Sequence, residues 1–281
     1  MALRSISLCA GVGGLDLGCH AAFEHLGVGY RTVAYVEREA YAAAQLVALM
    51  EAGCMDQAPV WSDLLTFDAG RWSGAVDCVI AGFPCQPHSV AGKRAGTSDE
   101  RWIWPAIVRI IRDSGAWLVV LENVRGLLSS GGMDAVLADL AGIGFAAEWA
   151  VLAASAVGAS HRRERVFIVG VADPSQPRPQ GARSGLSKRW REPVARDRDR
   201  GVLPLFAPGP SDRRWPGILA ERPYLAPATQ PGIRGLVDGH TLVVDESRRD
   251  QLRCLGNGVV PLQAAVAVVE LVRRLMKGFD Q

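Results

Sequence analysis

Residues 5–18 read "SISLCAGVGGLDLG", and the fold turns on how this stretch is taken. "SISLC" is a short apolar strand candidate. Gly11, Gly13 and Gly14 follow at once, and a helical stretch runs on to about Leu26. A strand that turns through glycines into a helix brings backbone close to a ligand and aims free N–H groups at it. The same rhythm continues down the chain. "YRTVAYVE", "AVDCVIAGF", "WLVVLENV", "AAEWAVLAA" and "RVFIVGVA" read as further strands, with "AYAAAQLVALM", "WPAIVRIIRD" and "MDAVLADLAG" as helices. Strands that alternate with helices of about ten to fifteen residues predict an α/β fold with a doubly wound, mostly parallel sheet. Ligands bind such sheets at the C-terminal ends of the strands. That rule puts Cys9, Glu37, Cys85 and Glu122 on one rim.

At 281 residues and 49% hydrophobic, the chain can hold one large α/β domain with a small second lobe. No run of about twenty uncharged apolar residues exists, so no membrane span is expected. The glycines and Asp16 make a poor apolar core for a secretory signal, and the six cysteines show no C-x-x-C pair. A reducing cytoplasm and no metal site are therefore expected. Cys19, His20 and His25 match no common zinc spacing. Charge is uneven: residues 1–170 carry a net −4 and residues 171–281 a net +6. Eleven of the sixteen prolines fall between 174 and 231, where apolar periodicity is lost. This basic, loop-rich part is expected to meet an anion such as nucleic acid. Periodicity returns near the end, with Pro261 as a first helical residue and a helix from about Leu262 to Lys277.

Glu37 ends the second strand, where a carboxylate can accept both hydroxyls of a ribose. The glycine turn and Glu37 together indicate a nucleoside cofactor, with NAD and S-adenosylmethionine both open. Cys85 stands between Pro84 and Pro87 in "GFPCQPHSVAG", a stiff loop suited to a nucleophile once its pKa is lowered. Glu122 ends the strand "VVLENV" and can stand across a pocket from Cys85. "HRRERVFIVG" brings His161, Arg162, Arg163 and Arg165 to a strand start. On an extended strand Arg163 and Arg165 share one face, which suits a base carbonyl or a phosphate.

These motifs together resemble the DNA (cytosine-5)-methyltransferases of the bacterial and phage type. "SLCAGVGGLDLG" is similar to the family's cofactor loop, "GFPCQPHSVAG" to its nucleophile loop and "LENVRGL" to its Glu-Asn-Val motif. "HRRERVFIVG" resembles its Gln-x-Arg-x-Arg motif and "LGNGVVP" its closing Gly-Asn segment. They occur in family order from about Ser5 to Val269, leaving residues 171–250 without a clear match.

The resemblance implies a Rossmann-like, S-adenosyl-L-methionine-dependent methyltransferase that flips a cytosine out of double-stranded DNA. It makes Cys85 the nucleophile at C6, with Glu122 on N3, Arg165 on O2, and Arg163 supporting the thiolate and nearby backbone. Cys9, Gly11, Val12, Gly14, Leu15 and Pro84 would line the cofactor, with Glu37 on its ribose. Asp63 would take the adenine amino group, Leu64 its ring face and Asn257 the methionine end. Residues 86–101, including Ser89, resemble the family's mobile loop over DNA. Three swaps stand out: Cys9 for Phe, His161 for Gln and His88 for Phe or Tyr. The Arg-x-x-x-x-x-Gln-Gly-Phe segment is absent, with "ESRRDQLRC" at best a remnant. A small recognition region is therefore expected, with Arg189, Arg191, Arg213 and Arg214 as candidate DNA contacts. The expected layout is a catalytic part at 1–172, recognition at 173–250 and a returning segment at 251–281, in a cytoplasmic monomer. A tRNA cytosine-5 methyltransferase and a non-catalytic DNA-binding relative are the alternatives. A restriction-modification, phage or orphan setting fits the sequence equally, and the target sequence is not readable.

Overall fold

The central strands carry no alternation of apolar and polar residues because both of their faces are covered. The computed structural model describes residues 2–84, 102–173 and 256–279, with isolated positions 213, 216, 217 and 220. Among the described residues, seven strands form one sheet in the order β3-β2-β1-β4-β5-β7-β6. They are β1 (Leu3–Leu8), β2 (Tyr30–Val36), β3 (Val60–Trp61), β4 (Cys78–Gly82), β5 (Leu118–Val124), β6 (Phe145–Ala153) and β7 (Glu164–Ala172). β7 alone runs against the direction of the other strands. The doubly wound, mostly parallel sheet expected from the sequence is thus the one that forms. β3 was not foreseen, because two residues carry no readable period.

Register brings the strand ends together. Leu8 pairs with Val36 and with Ala81, and Gly82 pairs with Glu122. Because β7 runs the other way, its first residues reach this same rim, and Arg165 lies opposite Val124. Cys9, Glu37 and Glu122 do lie at one rim, with Pro84 two residues past β4.

The helices are α1 (Gly14–His25), α2 (Ala40–Glu51), α3 (Trp104–Ser114), α4 (Gly132–Gly142) and α5 (Pro261–Phe279). In α3 the buried residues Trp104, Ile107, Ile111 and Ser114 recur every three to four positions, one face of a helix, and Gly115 in the left-handed region ends it. α5 begins at Pro261 as expected and buries Ala264, Val268, Leu271 and Leu275 along one stripe. It packs on α1, β6 and β7. The α1–α5 approach is close because position 18 lacks a Cβ. One built there would stand 2.5 Å from Ala264 Cβ and 2.7 Å from the Pro261 carbonyl oxygen. Among the described residues no helix is long and apolar enough to cross a membrane.

Candidate active site

The turn after β1 takes three left-handed steps, at Cys9 (φ 51°), Gly11 (φ 57°) and Gly13 (φ 81°). Glycine meets two of them without strain, whereas Cys9 holds a conformation costly for an L residue. The turn is tied to β2: Ala10 N–H donates to the Val36 carbonyl at 3.2 Å, and Gly11 N–H to Glu37 Oε2 at 2.7 Å. Glu37 is buried, and its Oε1 accepts from Glu39 N–H at 2.7 Å. Each oxygen keeps a second lone pair for a ligand hydroxyl.

Below the turn, Asp16 accepts from Ser7 Oγ at 2.8 Å and Thr32 Oγ1 at 2.9 Å, tying α1 to β1 and β2. Burial raises its pKa to about 7 against the two hydroxyls, which lower it. Burial, then the charge of Glu37, pushes the Cys9 thiol up to about 12, so it stays a neutral thiol.

A cleft opens between this turn and the segment before α5. Cys9, Gly11, Val12, Gly14 and Leu15 line one side, Asn257 and Val259 the other, and Gly82 adjoins them. Six of the expected cofactor residues are therefore together, and Glu37 is bonded to one of them. Asp63 and Leu64 are not among the cleft residues. They follow β3, where Asp63 Oδ1 accepts from Leu65 N–H at 2.9 Å and the Leu64 carbonyl accepts from Arg109. The donor set suits a nucleoside joined to an amino acid: a buried carboxylate for hydroxyls and a helix N-terminus for an acid group.

The second half of the site is the ion pair of buried Glu122 with partly buried Arg165, Oε1 to Nε 2.9 Å. Burial raises Glu122 to about 7, while Arg165 and then Arg163 pull it down. The two halves touch. A Cβ built on Gly82 would stand 3.5 Å from Glu122 Oε2, 3.7 Å from Val259 Cγ2 and 3.9 Å from the Cys9 carbonyl oxygen.

Arg163 departs from the sequence reading. It lies one residue before β7 with φ 29°, so it is not extended and does not share a strand face with Arg165. Its guanidinium instead donates to the carbonyls of Gly256, at 2.8 Å, and Gly258. Arg125 and Arg162 both bond to Glu164 on the surface, at 2.7 and 2.9 Å.

Two positioning residues escaped the sequence reading. Asn123 Nδ2 donates to the Phe83 carbonyl at 3.0 Å, fixing the backbone that leads to Pro84. Gln263 is buried under Arg163. A buried polar residue inside an apolar run was the available signal for both. Cys85, Ser89, Arg189, Arg191 and Arg214 lie outside the described residues. Arg213 is described and exposed. Among the described residues no group of three or more His, Cys, Asp or Glu could hold a metal ion.

The sheet order and rim site define a Rossmann-like fold of the methyltransferase class. A solved structure of Spodoptera frugiperda DNMT2, a triple mutant, matches with TM-score 0.60 and 16% identity over 96% of this chain and 100% of that one. The Entamoeba histolytica methyltransferase EhMeth matches with TM-score 0.51 and 14% identity, over 64% and 56%. Residues 3–195 match the family model for C-5 cytosine-specific DNA methylase, and the chain belongs to that family. Among its relatives, Type II methyltransferase M.NgoMIV of Neisseria gonorrhoeae is 32% identical over 61% of this chain and 52% of its own length. M.CviJI of Paramecium bursaria Chlorella virus IL3A is 30% identical over 63% and 45%. M.AquIA of Picosynechococcus is 32% identical over 60% and 72%. The chain spans about half the length of the first two.

Proposed function

We propose that the protein is a DNA cytosine-5 methyltransferase that uses S-adenosyl-L-methionine and acts on a cytosine flipped out of duplex DNA. The observation that carries this reading is the meeting at Gly82 of the Glu122–Arg165 ion pair and a glycine-lined cleft. Family membership and the Type II methyltransferase relatives support it. S-adenosyl-L-methionine, when bound between the glycine turn and Asn257, supplies an electrophilic methyl group for C5. The chain's own residues do the rest.

Extruding the base costs a few kcal/mol, roughly, and frees its Watson–Crick edge for reading. The Cys85 thiolate adds to C6, forming an S–C6 bond and sending the double-bond electrons toward C5. Glu122, raised to about 7 by burial, can hold the proton that N3 needs as that charge develops. Arg165 lies beside Glu122 and can donate to O2. Once C5 is methylated, its proton leaves to water or hydroxide. The S–C6 bond then breaks, returning Cys85 as thiolate and the N3 proton to Glu122.

The test is transfer of labelled methyl from S-adenosyl-L-methionine to duplex DNA, with tRNA as a parallel acceptor. Wild type should label DNA, and Cys85→Ala should abolish labelling. Label confined to tRNA would move the substrate to RNA. No label in either acceptor, with Cys85 intact, would overturn the reading. Bisulfite sequencing of plasmid from expressing cells would then give the target site.

A further inference from the structure

Arg163 holds a backbone conformation that an arginine does not adopt unaided, with φ 29°. Such a residue persists only where its surroundings over-determine it. Ala154 N–H donates to the Arg163 carbonyl at 3.3 Å, and one buried side chain adds a shorter bond. Gln263, on the first turn of α5, is fully buried. Its Nε2 donates to the Arg163 carbonyl at 2.9 Å and to the Leu152 carbonyl at 2.7 Å. Both amide protons are spent on carbonyls, one at the end of β6 and one just before β7. The amide therefore bridges the end of β6 and the residue before β7. From the far side of Arg163, the guanidinium grips the carbonyls of Gly256 and Gly258, on either side of Asn257. Asn257 and Gly258 line the cleft, while the charge of Arg163 reaches Glu122.

We propose that Gln263 is a positioning residue that sets Arg163, and through it couples the cofactor cleft to the base pocket. Resting on the function proposed above, this assigns the start of α5 a part in the reaction beyond packing. A Gln amide inside an apolar stripe is costly unless its donors are used. Here one donor holds Arg163, whose guanidinium bonds the cleft backbone and whose charge acts on Glu122, and the other holds Leu152. Among the described residues, Arg163 and Arg165 are the charged groups acting on Glu122. Displacing Arg163 leaves Arg165 alone to oppose burial.

The test replaces Gln263 with Met, which keeps the volume and removes both donors, and follows the Glu122 carboxyl by carbon-13 NMR titration in the protein without substrate. The Glu122 midpoint should rise in Gln263→Met and in Arg163→Met, and the double variant should rise no further than Arg163→Met alone. The turnover number for methyl transfer should fall roughly a hundredfold, as a displacement of about 1 Å does elsewhere. A lowered melting temperature with an unmoved Glu122 midpoint and unchanged kcat would reduce Gln263 to packing and overturn the proposal. If the Met variant does not fold, Gln263→Asn keeps the amide on a shorter stem, and the same two readouts decide. Because the titration needs neither DNA nor donor, it judges Gln263 even if wild type transfers no methyl group. That last failure would sink the proposed activity instead.

Discussion

Asp16 should make the protein less stable as pH rises through neutrality, and Asp16→Asn should remove that dependence. Its carboxyl is buried, with two hydroxyls and its own backbone as partners, and its pKa stands at about 7 against 3.8 for the free group. The folded state therefore binds a proton that the unfolded state has released anywhere between about pH 4 and pH 7. With more protons bound in the folded state, stability is full below about pH 4 and is lost as pH rises to about 7, after which it is flat. A shift of about three units at ~1.4 kcal/mol each sets the loss at about 4 kcal/mol. Glu122, also raised to about 7, contributes in the same direction, so the wild-type curve contains both groups. The difference between wild type and Asp16→Asn isolates Asp16. The Asn side chain keeps the shape, and the hydroxyls of Ser7 and Thr32 can each turn to accept. Urea unfolding at a series of pH values between 4.5 and 8.5, on the order of half a unit apart, measures it. The variant should gain on wild type as pH rises to about 7 and hold that gain above it. Parallel curves across that range would refute the reasoning, because they would mean that Asp16 is ionised in the folded state throughout.

Gly18→Ala should force α5 away from α1, since its Cβ would lie 2.5 Å from Ala264 Cβ. Overpacking of this kind costs about 1–3 kcal/mol. Calorimetry should show a melting temperature lower by several degrees, and titration with S-adenosyl-L-methionine a weaker affinity, because Asn257 is carried by the same segment. An unchanged melting temperature would mean that the helices have room to spare. On the proposed function, kcat/KM should fall on the alkaline side as Glu122 loses its proton near pH 7. Glu122→Gln should lower the rate by about 10²–10⁴ and abolish that limb. A limb that persists in the Gln variant would assign the titration to another group.

The sheet was legible because its central strands are buried on both faces and its helices show one apolar stripe each. β3 was not, since its two residues owe their place to pairing with Tyr35 and Val36. Along the rim, residues that follow a strand could be placed from sequence: Cys9, Glu37 and Glu122 each come at or just after an apolar run. Arg163 was misread because strand continuity was assumed one residue too early. Its carbonyl accepts from Gln263, a hundred residues away in the chain, and local pattern cannot report that bond. Asn123 shows the same limit. It sits inside a quoted motif, but its bond to the Phe83 carbonyl joins two strands that the sequence leaves unordered. Asp63 and Leu64, expected from the resemblance, follow the outer strand β3 and are not among the cleft residues.

The reversal of β7 has a consequence for how this scaffold can be changed. Parallel strands offer one rim only their last residues, yet β7 lends the same rim its first. Were β7 parallel, Arg165 would sit near the opposite edge, where Val171 now is, on the order of 20 Å away. One flipped strand therefore sorts the tolerance of the chain to insertion. Residues added to the β6–β7 connection would lengthen the wall of the site, between Ala153 and Glu164. Ala172, whose N–H bonds to the Trp117 carbonyl just before β5, ends the strand at the far edge, away from that wall.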